Sequence, residues 1–95
     1  MIIVNQNKCT IVNFNNIQNI RIDPYGTHIK SKKIYKIFAG NFEGYATELG
    51  TYDTEERAKE VLAEIIKSYR DYRTAECDGY TNVLQETAVF DMPEE

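Results

Sequence analysis

The side chains best suited to chemistry in this sequence are cations and phenols in its first half. Arg21, His28, Lys30, Lys32, Lys33 and Lys36 follow one another closely, with Tyr25, Tyr35 and Tyr45 interleaved. Cations attract a phosphate and aromatic rings stack on a base, so such a mixture suits a nucleotide. In an extended chain His28, Lys30 and Lys32 project from one face, because alternate side chains share a face. The candidate ligand set is therefore Arg21, Tyr25, His28, Lys30, Lys32 and Tyr45. A plainer reading competes with it: lysines on a sheet edge discourage edge-to-edge aggregation. Lysine also outnumbers arginine here, which weakens any reading as bidentate phosphate recognition.

Nucleophilic catalysis needs a base poised beside a thiol or hydroxyl. His28 is the only histidine, and neither Cys9 nor Cys77 lies near it in sequence. The cysteines have no metal-ligand spacing, and no HExxH, GxxxxGK or CxxC pattern occurs. The carboxylates of Glu55, Glu56, Glu60 and Glu64 belong to a face expected to meet water. The expectation is a protein that is not an enzyme, with no catalytic residue, no metal and no cofactor.

Charge is divided unevenly along the chain. Residues 1–42 carry Lys8, Arg21, Lys30, Lys32, Lys33 and Lys36 against Asp23 alone, whereas residues 43–95 hold every other acidic group. Such a split suits an anion-binding face beside an acidic back, or two faces that attract each other in an assembly; it also follows simply from a solvated acidic helix. The net charge of −4 makes duplex nucleic-acid binding unlikely. The opening MIIVNQNK turns polar too soon for a secretory or spanning segment, and two unspaced cysteines suit reduced thiols. A soluble protein of a host cell cytosol, away from membranes, is expected. With 95 residues the chain makes a single domain, 1–95, whose thin core a homo-oligomer would support.

These groups must be positioned by strands and one helix. Ala58, Val61, Leu62, Ile65, Ile66, Tyr69 and Tyr72 recur at helical spacing and predict a helix over residues 54–73. Asp53 and Glu56 read as a capping box, with Thr54 as the rival cap. Upstream, residues 1–4 and 9–14 predict a hairpin, and residues 17–23 a strand in which Ile17 is out of phase, marking a bulge or a turn. Pro24 to Thr27 reads as a turn, residues 28–31 as its returning strand, and residues 34–39 as the next strand. Residues 40–44 read as a glycine-bracketed loop, residues 45–51 as a strand, and residues 87–91 as a last short strand. The fold class is α+β: an antiparallel β-meander of about five to six strands, packed by one long amphipathic helix, with a C-terminal strand. Val61, Leu62, Ile65 and Tyr69 should face Val12, Ile20, Ile22 and Ile37.

The opening MIIVNQ…TIVNFNNIQNIRI, the core LGTYDTEERAKEVLAEII and the ending FDMPEE resemble a family of short proteins of phages and prophages of Firmicutes. The similarity covers the larger part of the chain, with residues 40–47 and 74–86 looking like insertions. The matching motifs are fold signals, so the resemblance carries no site residue. It implies the context of a small phage accessory gene.

A short, non-catalytic phage-type protein acts by occupying something its host uses. On that basis the expected function is to bind and sequester a phosphorylated small molecule, such as a cyclic nucleotide or a NAD-derived signal, countering host defence. A second reading is a protein-binding inhibitor of a defence nuclease, with the acidic face of Glu56, Glu60 and Glu64 mimicking nucleic acid. A virion or packaging accessory is a third.

Overall fold

A computed structural model describes residues 1–23, 26–78 and 89–95 of the chain. Its described elements are β1 (Ile2–Val4), β2 (Ile11–Asn13), a 3-10 turn (Phe14–Asn16), β3 (Ile17–Ile22), β4 (Thr27–Ile29), β5 (Lys32–Asn41), β6 (Ala46–Tyr52), α1 (Glu55–Asp78) and β7 (Val89–Asp91). The class is α+β, as the alternation of apolar residues and the single amphipathic stripe require.

The strands form two sheets where the sequence suggested one. In the smaller, β1 lies between β2 and β7. The β1–β2 hairpin is antiparallel with Ile3 opposite Val12, while β7 runs parallel to β1 with Phe90 opposite Ile3. That parallel pairing departs from the all-antiparallel expectation, and it follows from where the chain has been. Having crossed the molecule in α1, it returns in the direction of β1, and Met92 N–H bonds to Val4 O at 3.0 Å. Met92 is buried with Ile3, so the last strand fastens the core.

The larger sheet is built on β5, which runs for ten residues. It pairs antiparallel with β3, β4 and β6. The β3 pairing is irregular between Ile17 and Asn19, so the misplaced phase of Ile17 marks a bulge. Two boundaries differ from expectation. The chain does not run extended through Lys30 but turns there, with Lys30 at φ 51° and Ser31 at φ 66°. Both values are positive, as a type I′ two-residue hairpin requires, yet neither residue is the Gly or Asn that usually announces one. At the other end β5 continues through Gly40 to Asn41. The expected loop shrinks to the turn at residues 42–45, where Asn41 Oδ1 accepts the N–H of Glu43 and of Tyr45.

α1 continues past the predicted end at Arg73 to Asp78. Its cap is Thr54, whose Oγ1 accepts the Arg57 N–H at 3.1 Å. The third helical position is therefore Arg57 and no capping box forms; Asp53 pairs instead with Lys32 at 3.0 Å. Ala58, Val61 and Ile65 are buried against Ile37, Ala39, Leu49 and Tyr52. Val12, Ile20, Ile22, Tyr69 and Tyr72 are half-buried at the margin of this core, as is Leu62, while Ile66 is 46% exposed. Ile3, Leu49, Tyr52 and Met92, which helical periodicity could not reveal, complete it.

Candidate functional site

The structure does not bring the sequence-predicted ligand set together. Lys30 occupies the hairpin turn, and His28 pairs across it with Lys33 while Lys32 pairs with Ile29. Alternation then puts His28 and Lys33 on one face and Lys32 on the other, correcting the expectation that His28, Lys30 and Lys32 share a face. Tyr45 is exposed in the turn at the opposite end of β5. At about 3.3 Å per residue, β5 separates it from Lys32 by about 30 Å. Arg21 lies between these ends, opposite Phe38, with its guanidinium 5.7 Å from the Phe38 ring centre and bonded to Asn19 Oδ1 at 3.0 Å. Tyr25 lies outside the described residues.

Several of the cations already have partners. Lys32 meets Asp53, Lys36 meets Glu48 at 3.6 Å, and Lys33 lies 5.5 Å from the Tyr35 ring centre. Pairing with β6 begins at Tyr35, so Lys32 and Lys33 stand where β5 has a strand on one side only. That position fits edge protection. The acidic helix face is also partly occupied: the Arg57 guanidinium reaches Glu60 at 3.1 Å and Glu64 at 3.4 Å.

A different set of residues is brought together between α1 and β3. Phe14, Ile17, Gln18, Asn19, Ile20, Leu62, Ile65, Ile66, Tyr69 and Arg70 line a groove of about 530 Å³. Its volume falls in the range of roughly 300–1,000 Å³ typical of small-molecule sites. The Phe14 and Tyr69 rings stack at one side, with centres 4.4 Å apart and planes 20° from parallel. The sequence explains each wall. Asn13 caps the 3-10 turn by accepting the Asn15 N–H, which swings Phe14 onto the helix. The bulge at Gln18 displaces that side chain from the regular alternation of β3.

Two polar side chains of this groove, the Gln18 amide and the Arg70 guanidinium, have no hydrogen-bond or ion-pair partner among the described residues. Asn19 is engaged by Arg21. The groove thus offers a flat aromatic and aliphatic wall, one amide able both to donate and to accept, and one fixed positive charge. A planar base and a phosphate are the groups such a surface can take. Sequence reasoning overlooked it because Tyr69 and Leu62 read as core. The available signal was Arg70 beside Tyr69, at the edge of the stripe and not on the acidic face.

Neither thiol–imidazole nor metal chemistry is assembled by the described residues. Cys9 is exposed, its Sγ within 3.5 Å of Asn7 O, and His28 faces Lys33. No group of three or more His, Cys, Asp and Glu among them could hold a metal ion. Nor is any helix among them long and apolar enough to cross a membrane. Compared with known proteins, the chain matches no family model, no curated protein and no solved structure.

Proposed function

We propose that this protein binds and sequesters a nucleotide-derived signal without chemically changing it. The observation that supports this reading is the α1–β3 groove, where Phe14 and Tyr69 present aromatic surface next to Arg70 and Gln18, which have no partner among the described residues. The base would lie against Tyr69 and the phosphate against Arg70, so the binding role moves from the dispersed lysines to the helix edge. Resemblance to short phage proteins supplies the context: a phage-type accessory protein acting in the cytosol of a host cell, with a host signalling molecule as its target. The acidic-face reading, as a nuclease inhibitor, is weakened because Arg57 already engages Glu60 and Glu64.

A thermal-shift panel of mononucleotides, cyclic nucleotides and dinucleotides tests this. A ligand that binds only the folded state stabilises it by about 2.7 kcal/mol at a hundredfold excess over Kd, a readily measured rise in Tm. Arg70→Glu should abolish the rise while Lys30→Glu leaves it, and denaturing the loaded protein should return the ligand intact. A panel with no shift, or a ligand returned cleaved, would overturn the proposal.

A further inference from the structure

The larger sheet ends in a strand whose outer side no described strand covers. β3 pairs with β5 on one side, and no strand among the described residues pairs with the other. Asp23 N–H bonds back to Lys36 O at 3.0 Å, which fixes the phase of the backbone. By alternation the peptide groups of Arg21 aim at β5, and those of Ile20 and Ile22 aim outward. Three apolar side chains of α1 stand above this edge: Ile66, which is 46% exposed, and the half-buried Leu62 and Tyr69.

We infer that the outer edge of β3 pairs antiparallel with β3 of a second copy, about a two-fold axis at Ile20. The occupant follows from the strand's own chemistry. Such an axis lets Ile20 of each copy exchange both N–H···O bonds with the other, the closely spaced pair of an antiparallel ladder. Arg21 is the only charged residue of β3. The axis sets it beside Asn19 of the second copy, the neutral acceptor that it already bonds within its own chain. No like charges meet along the strand, so the edge complements itself. The two sheets become one, with both helices on the same side and their Ile66 margins facing each other. Such an isologous contact closes at two copies.

Sedimentation equilibrium of the full chain should give a particle of about twice the 11.0 kDa of one copy. Ile66→Glu places a charge on the facing helix margins at a position exposed enough to leave the fold intact, and should weaken association about tenfold or more. Phe42→Glu, in the turn at the far end of β5, should leave it unchanged. Amide exchange read residue by residue should protect Ile20 and Ile22 in the dimer and release them on dilution. A particle of one copy at all concentrations would overturn the inference. So would a dimer indifferent to Ile66→Glu in which the Ile20 and Ile22 amides exchange freely. Nucleotide stabilisation that depends on Arg70 is a separate readout, so either idea can fail alone.

Discussion

The two sides of the larger sheet are finished in opposite ways. On the β6 side, Gln6 takes the place of a missing strand: its N–H donates to Leu49 O at 2.8 Å and its Oε1 accepts the Thr51 N–H at 2.8 Å. The same amide donates to Thr51 O, Pro93 O and Glu94 O, fastening the C-terminal tail over the edge. Leu49 and Tyr52 are buried beneath that closure. On the β3 side the ladder ends among the described residues, beside a groove whose Gln18 amide and Arg70 guanidinium have no partner among them. One side spends its polar groups on holding the fold, and on the other the Gln18 amide and Arg70 guanidinium bond to no described residue. The proposed ligand would meet the side that the chain's own bonds leave open.

That contrast can be broken first at the core both sides share. Ile65 is 1% exposed, and Ile65→Asp would bury an unpaired charge between the helix and β5. Cooperative thermal unfolding should disappear; an unchanged melting curve would refute the packing. A sharper test compares the two glutamines. Gln6→Ala keeps the backbone bond to Leu49 but leaves backbone groups of Thr51, Pro93 and Glu94 without their side-chain partner, and should cost about 2–4 kcal/mol in urea unfolding. Gln18→Ala should change stability by no more than about 0.5 kcal/mol, since Gln18 holds no other described residue. Equal effects would erase the distinction between the edges. Smaller than the loss at Gln6 is that at the helix start on which both sides depend: Thr54→Ala removes the bond to the Arg57 N–H and should cost about 1 kcal/mol.

The same asymmetry governs what could be read in the sequence. The helix stripe and the broken phase at Ile17 are legible because they follow periodicity within one segment, although periodicity alone leaves a bulge and a turn both open there. Positive φ at Lys30 and Ser31 was not, since the type I′ geometry is imposed by the pairing of β4 with β5 and not by residue type. That single turn dispersed the lysine cluster on which the ligand reading had rested. Gln6 carried no local signal either, because its five bonds run to residues more than forty positions away. The groove was hidden for a related reason. Phe14 and Tyr69 lie far apart in sequence, and each alone looks like a core aromatic.

The finest test of the closed side is its dependence on pH. Tyr52 is buried, its hydroxyl donates to Pro93 O at 2.8 Å, and burial pushes its phenol up from 10.0 to about 12. Below pH 10 the phenol is neutral in folded and unfolded chains alike, and its contribution is fully present. Between pH 10 and about 12 the unfolded chain loses the proton while the folded chain keeps it. The folded state then binds more protons, so stability falls as pH rises, and the contribution is gone above the folded value. Tyr52→Phe should cost about 1 kcal/mol at neutral pH for the lost bond to the tail, yet lose less than the wild type on going from pH 9 to 11.5. Unfolding free energies measured by urea titration across that interval provide the check. Parallel pH profiles for the two proteins would mean that the tail does not keep Tyr52 out of water, and the closed edge would then be no tighter than the open one.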